Sequence, residues 1–300
     1  MILYFGEQAS RQLLNGHWSK PNRYMGTIGF FVGMTTLDYV YYTPQLPMAN
    51  TKIRTEMYRR YIGGPAANAA ITYSLLGGDA YLYTCIGSSP EADMIADELK
   101  HYGVKLINCS DSPQLPDIST IVIDENGSRT IFSGQGAYKN VSFERPKVKP
   151  EFVLFDLNRQ ELSLPMLEHF AENKDGTDIV LDAGSFKGNT ESFLQYADIV
   201  ISSEKFTDAE GRSIFDIKAC ANAKKAITRG EKDILTDRGE IPVPKVKCVD
   251  SLAAGDIFHG AFCFGYYVKN MEFEEALGFA AGVASESVTH EGPRIVAQKY

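Results

Sequence analysis

The chain has no run of ~18 uninterrupted apolar residues, the length a bilayer-spanning helix needs, so no segment reads as a membrane anchor. It holds one tryptophan, five histidines and five cysteines in 300 residues. The cysteines (Cys85, Cys109, Cys220, Cys248 and Cys263) are odd in number, widely spaced and without a C-x-x-C pair. That argues against a disulfide framework and against a zinc knuckle, and each reads as a small buried apolar residue in a reducing compartment. Basic charge is short as well: 30 Lys and Arg against 38 Asp and Glu leave a net charge of −8. Neither nucleic acid nor an anionic membrane surface is an expected partner. The phosphate-binding pattern G-x-x-x-x-G-K-[S/T] is missing, which excludes the P-loop route to nucleotide chemistry. Glu7 and Arg11 interrupt the start of the chain, so it lacks the pattern of a secretory leader and a cytoplasmic location is expected.

What is present is an ordinary globular mixture, 44% hydrophobic, 11% aromatic and 23% charged, ample for a large core. Residues 1–25 are mixed in pattern and read as an extension of unknown role. From Gly26 the text turns regular. Residues 27–36 form a Gly-interrupted apolar run, read as one buried strand that ends at Asp38. The aromatic and β-branched stretches 39–42 and 54–62 flank a Pro-containing turn and suggest a strand pair. Ala66, Ala70, Ile71, Ser74 and Leu75 share one helical face, as do Ala92, Ile95, Ala96, Leu99 and Tyr102, with a strand at 80–86 between them. Segments 119–124 and 129–133 flank Asn126-Gly127, a hairpin turn signal.

The second half alternates. Strands at 152–156, 178–181, 198–202 and 226–228 are separated by helical patterns near 164–172, 191–195 and 214–223. This order predicts parallel βαβ units in a doubly wound α/β sheet flanked by helices. The two early hairpins, about 39–62 and 117–134, fall outside that scheme and are expected to form a small β lid. No linker divides residues 26–300 into two domains.

Two segments carry chemistry. Gly63-Gly64-Pro65-Ala66-Ala67-Asn68 lies at a strand-to-helix junction, where two glycines permit a tight turn and close ligand approach, and Pro65 suits a first helical turn. Asn68 then projects from a helix lined with Ala. By itself this is as readily a packing motif as a binding site. In the second, Asp250-Ser251-Leu252-Ala253-Ala254-Gly255-Asp256, small residues precede an apolar helical stretch. Backbone N–H groups at such a helix start make a nest for an anion, with Asp256 placed to take a proton beside it. An isolated Asp there would more commonly serve the helix dipole.

Together, in this order, the two segments resemble the signatures of the ribokinase/PfkB family of carbohydrate kinases, from about Gly26 to the C-terminus. The Gly33 to Asp38 approach and the turn Thr228-Arg229-Gly230-Glu231 fit the same pattern, and Gly127-Ser128-Arg129-Thr130-Ile131 resembles the ketohexokinase branch. The resemblance implies a ribokinase-like fold and transfer of the γ-phosphoryl of ATP to a sugar hydroxyl. It implies Asp256 as catalytic base, with the backbone of Ala253, Ala254, Gly255 and Asp256 as anion hole. Asp38, Gly63, Gly64 and Asn68 would bind the sugar, while Thr228, Gly230 and Arg129 would lie along the nucleotide. It also implies Mg²⁺ and leaves room for a monovalent cation such as K⁺. A homodimer through exposed lid edges is expected. Two departures stand out: Ala253 occupies the family's usual glycine, and the N-x-x-E motif aligns with Ser203-Glu204-Lys205-Phe206, so that Glu204 is left as the metal candidate. A nucleoside kinase of the same fold and a catalytically silent sugar-binding regulator are the alternatives. His259, Asp182, the Tyr39, Tyr41 and Tyr42 run, Lys245, Lys247 and the Arg59-Arg60 pair read as structural or solvated.

Overall fold

The computed structural model describes residues 26–55, 57–110, 112–125, 129–134, 136, 138, 140–173 and 175–294. The extension at 1–25 and the Asn126-Gly127 turn lie outside the described residues. Short apolar runs become strands, and the first is β1 (Ile28–Val32). After it the chain breaks: Met34 N–H donates to the Asp156 carboxylate at 2.8 Å, and a new strand, β2 (Thr36–Thr43), begins. The single strand expected over 27–36 is therefore two, and Asp38 lies inside the second of them.

The strand β3 (Met57–Gly63) leads into α1 (Pro65–Leu76), followed by β4 (Asp79–Thr84), α2 (Pro90–His101) and β5 (Lys105–Asn108). The hairpin β6 (Asp117–Asp124) and β7 (Arg129–Gly134) precedes β8 (Phe152–Phe155), α3 (Gln160–Asn173), β9 (Asp178–Ala183), α4 (Thr190–Leu194) and β10 (Ile199–Ser203). Then come β11 (Lys224–Arg229), the short antiparallel strands β12 (Lys232–Thr236) and β13 (Gly239–Ile241), and the helices α5 (Ala254–Cys263) and α6 (Phe273–Ser287).

The main sheet has nine strands in the order β13-β12-β11-β10-β9-β8-β1-β4-β5, parallel throughout from β11 to β5. Alternate residues face opposite layers, because side chains on a strand alternate. Phe31, Leu82, Leu154 and Ile201 pack with residues of α1, α2, α5 and α6, while Phe30, Val32, Val153 and Val200 pack with residues of α3 and α4. Burial on both faces explains why these strands read as continuous apolar runs. Strand order reverses between β1 and β8, and the crevice beyond the carboxyl ends at such a switch point is where open α/β sheets hold ligands. A separate four-stranded sheet, β3-β2-β6-β7, stands apart as the lid.

The helix expected near 214–223 does not form. Residues 214–223 form turns around a single 3₁₀ turn, Lys218–Cys220. Ile214, Ile217, Cys220 and Ala223 are all buried, but their strict three-residue spacing suits a 3₁₀-like path rather than an α-helix. The helix α1 is buried almost all round. It lies against α5 so closely that a methyl group on Gly260 would stand 2.3 Å from the Ala69 carbonyl. This contact sets the distance between the two signature segments.

Candidate active site

The α5 helix starts from Ala253, whose φ of 58° is left-handed. The first intrahelical bond runs from Ile257 N–H to the Ala253 carbonyl at 2.9 Å. The N–H groups of Gly255 and Asp256 in the first turn therefore have no partner within the helix, and they carry the positive end of its dipole. Ala254 N–H makes a long contact of 3.4 Å to the Ser251 carbonyl. The loop is braced by Asp250, which is buried and accepts from Leu252 N–H at 2.9 Å, Gly292 N–H at 3.0 Å and the Tyr42 hydroxyl at 3.3 Å.

Asp256 is half-buried. Its Oδ2 accepts from Asn68 Nδ2 at 2.8 Å, so residues 188 positions apart meet where α1 and α5 touch. Burial, then the nearby Asp182 carboxyl, pushes the Asp256 carboxyl up to about 7, against the pull of the Asn68 hydrogen bond and of His259. A carboxylate poised near neutrality suits proton transfer. Burial and the Asp156 charge likewise push Asp182 up to about 8. His259 is buried with Nδ1 2.8 Å from the Gly255 carbonyl and Nε2 3.3 Å from the Ile201 carbonyl. That geometry matches the structural role expected for it.

Asp38 sits on the lid strand β2 with Oδ1 accepting from the Thr36 hydroxyl at 2.6 Å. Burial raises its pKa, countered by hydrogen bonds from Thr36 and Ser119 and by the Arg294 charge. Gly63 makes room for this carboxylate, since a Cβ there would stand 1.9 Å from Asp38 Oδ2. Gly64 has φ 90°, and its Cβ would stand 2.3 Å from the Met34 carbonyl oxygen.

On the far side of Ala254 a cavity of about 280 Å³ is lined by Thr228, Gly230, Ile234, Phe258, Ala281 and Ser251, among others. Arg129, on the lid strand β7, donates from Nη1 to the Ser251 hydroxyl at 3.0 Å and so reaches the rim of this cavity. The structure thus gathers Asp38, Gly63, Gly64, Asn68 and Asp256 on one side of the α5 start, and Thr228, Gly230 and Arg129 on the other.

Two residues were missed by sequence reasoning. Asp156, just beyond β8, accepts from Met34 N–H, Ala66 N–H and Asn158 N–H at 2.8, 3.1 and 2.9 Å. It pins both loops of the crevice. An acid at the end of the apolar run 152–155, beside a switch point, was the available signal. Arg294 donates to Asn68 Oδ1 at 2.8 Å and to the Ile62 carbonyl; a lone Arg near the end of the chain carried no pattern to find it by.

Comparison with known proteins identifies the family and the fold. The family model for pfkB carbohydrate kinases matches residues 30–299. The chain belongs to that family. It is accordingly a phosphotransferase with an alcohol group as acceptor, built on the ribokinase-like fold. The chain is 27% identical to a deoxyribokinase of Salmonella typhi, covering 87% of this chain and 92% of that one. It is 25% identical to a nucleoside kinase of Methanocaldococcus jannaschii over 87% of this chain and 90% of that one. Among solved structures, Thermotoga maritima ribokinase superposes with a TM-score of 0.72 at 23% identity, covering 90% and 95% of the two chains. Arabidopsis thaliana ribokinase, complexed with ribose and ATP, gives 0.67 at 20% identity over 89% and 93%. The pfkB relatives thus include both sugar and nucleoside kinases.

The two departures from the family pattern now have a physical description. Ala253 does occupy the left-handed region, at a cost of about 1 kcal/mol for a non-glycine residue. Ala253→Gly is expected to raise the thermal midpoint by about 2 °C without loss of turnover, as read by thermal unfolding; a lowered midpoint would contradict the strain. Phe206, where the motif has Glu, is buried and packs on Phe186 with ring centroids 5.7 Å apart. Glu204 stays exposed at the end of β10, its N–H bonded to the Thr228 carbonyl at 2.9 Å and its carboxylate 3.5 Å from Lys232. Among the described residues no cluster of three or more His, Cys, Asp or Glu could hold a metal. Mg²⁺ usually keeps several waters and needs only one or two protein carboxylates; Glu204 is one such group, bonded through its N–H to Thr228, which lines the cavity.

Proposed function

We propose that this pfkB kinase transfers the γ-phosphoryl of ATP to a hydroxyl of a sugar. The observation that supports this most is the Asp256 carboxylate, half-buried in the first turn of α5 and bonded to Asn68, between a polar crevice and the cavity that Ala254 also lines. ATP would lie in that cavity, with Thr228 and Gly230 along it and Arg129 at its phosphate end, where a planar, permanently charged fork suits phosphate. The sugar would be held by Asp38 and Asn68 over Gly63 and Gly64. Asp256 takes the proton of the hydroxyl as its oxygen bonds to the γ-phosphorus, and the bond to the β-phosphate oxygen breaks to release ADP. The backbone N–H groups of Gly255 and Asp256 stabilise charge on the phosphoryl in flight. A Mg²⁺ held by Glu204 through water would neutralise phosphate charge.

A sugar is favoured over a nucleoside because polar groups (Asp38, Thr36, Asn68 and Asp256) converge on the acceptor side. The apolar lining belongs to the cavity beyond Ala254. A second copy of the chain is proposed to cover the lid, where Tyr58 and Phe132 are 62% and 64% exposed. A reducing, cytoplasmic setting is supported by the five unpaired cysteines.

The test is ATP consumption against fructose, ribose, 2-deoxyribose, 2-keto-3-deoxygluconate, adenosine and inosine. The expected result is the highest kcat/KM with one of the sugars. A nucleoside as the best acceptor would make the chain a nucleoside kinase. Tight sugar binding with no turnover on any of the six would make it a silent regulator.

A further inference from the structure

Asn68 is expected to hold the acceptor, yet its amide is already bonded at both ends. One Nδ2 hydrogen goes to Asp256 Oδ2 at 2.8 Å, and Oδ1 accepts from Arg294 Nη1 at 2.8 Å. The other end of the guanidinium, Nη2, donates to the carbonyl of Ile62, which lies in β3 immediately before Gly63 and so at the root of the lid. Asp256, Asn68, Arg294 and Ile62 therefore form one continuous chain of hydrogen bonds from the base to the lid.

The location of Arg294 is fixed from behind as well. Gly292 N–H is held by Asp250 at 3.0 Å, and Gly292 takes φ 74° with the Tyr61 hydroxyl 2.4 Å from where a Cβ would be. The guanidinium lies over the Tyr102 ring at 5.6 Å. Both of its hydrogen bonds to Asn68 and Ile62 go to neutral oxygens, and its Nε is buried with no partner among the described residues. A guanidinium drawn partly out of water loses hydration, and the Glu98, Asp38 and Asp256 carboxyls that feel its charge offset part of that cost. A planar fork that spans two acceptors can hold an amide in one orientation, which a single-point cation cannot. The amide in turn is polarised by the cation, which strengthens its donation to the carboxylate.

We infer that Arg294 is a positioning residue for phosphoryl transfer: acting through Asn68, it orients the Asp256 carboxylate and ties it to the root of the lid. The inference rests on the reading of Asp256 as base. The groups that set the protonation of Asp256 are Asn68 on α1, Asp182 at the end of β9, Asp156 beyond β8 and His259 on its own helix. Arg294 acts on the first of these, and its charge is felt by Asp38, Glu98 and Asp256.

The experiment compares kcat, acceptor KM and the pH profile of kcat for the wild type, Arg294→Met, Arg294→Lys and Asp256→Asn. Arg294→Met is expected to lower kcat roughly 10- to 100-fold, with acceptor KM held within about threefold. It is also expected to move the acid limb of the profile upward by about one pH unit, since the carboxylate loses an oriented donor. Arg294→Lys, able to reach one of the two oxygens, is expected to recover part of kcat. A merely structural Arg294 would lower the thermal midpoint and leave kcat and the acid limb in place, which overturns the inference. A rise in acceptor KM with unchanged kcat would make Arg294 a direct acceptor ligand and overturns it equally. Full turnover in Asp256→Asn overturns the base and this inference with it. Full turnover in Arg294→Met beside an inactive Asp256→Asn overturns the inference alone.

Discussion

Asp256→Asn is expected to lower kcat about 10²- to 10⁴-fold, the range that loss of a general base removes, with little change in KM for ATP. Asn is isosteric and can still meet Asn68 across the α1–α5 contact, so the loss isolates the proton transfer. The wild-type rate should also fall as pH drops below about 7, where burial and Asp182 have placed the Asp256 carboxyl, because the protonated acid cannot accept the hydroxyl proton. Stability runs the opposite way. A carboxyl whose folded-state pKa is raised favours folding at low pH, and that contribution fades as pH climbs from the ordinary value of 3.8 through about 7. Above that range the folded state carries a buried charge that it disfavours. Asp256→Asn should therefore unfold at a temperature no lower than the wild type at pH 8, while being nearly inactive. Coupled-assay kinetics and thermal unfolding across pH 5–9 read both effects. Wild-type turnover in the variant, or an acid limb it shares with the wild type, would contradict the assignment.

Gly64→Ala is expected to be the most damaging single methyl in the crevice. Its φ of 90° is one that L side chains rarely adopt, and the added carbon would stand 2.3 Å from the Met34 oxygen, 2.7 Å from its carbon and 2.9 Å from the Thr35 Cα. All three are backbone atoms, and Met34 N–H is held by the Asp156 carboxylate, so no rotamer change relieves the clash. Strain of this kind, added to the cost of the left-handed region, comes to about 3–5 kcal/mol. The midpoint should drop by about 6–15 °C and acceptor turnover should be lost, because the Gly63 and Gly64 turn also seats Asp38. Calorimetry and the acceptor assay together check this. A variant that keeps its midpoint would mean that residues 33–35 yield easily.

Much of the fold was legible because its physics is local. The apolar run 152–155 announces a strand buried on both faces, and the Ala-rich face after Pro65 announces a helix that packs tightly. The misread parts are those where a longer-range effect decides. The three-residue spacing of Ile214, Ile217, Cys220 and Ala223 imitates a helix, and only packing against the α3–α4 layer shows that it is a set of turns. Charges in Lys232–Thr236 and Gly239–Ile241 hid the two antiparallel strands at one end of the sheet, of which β13 is the edge. The break between β1 and β2 depends on Asp156, more than 120 positions away. At the site the motifs marked Asp256 and Asn68 separately, but their hydrogen bond, and the Arg294 behind it, are products of tertiary packing.

The placement of Asp38 on a lid strand has a consequence for how idle turnover is avoided. On the proposed reading, an alcohol that engaged Asp38 and Asn68 at once would bridge the four-stranded sheet to a helix that Gly260 and Ala69 hold fast against its neighbour. Docking of the cargo and closing of the cover would then be a single event, and stray water would meet ATP only while no acceptor was aboard and the chamber stood open.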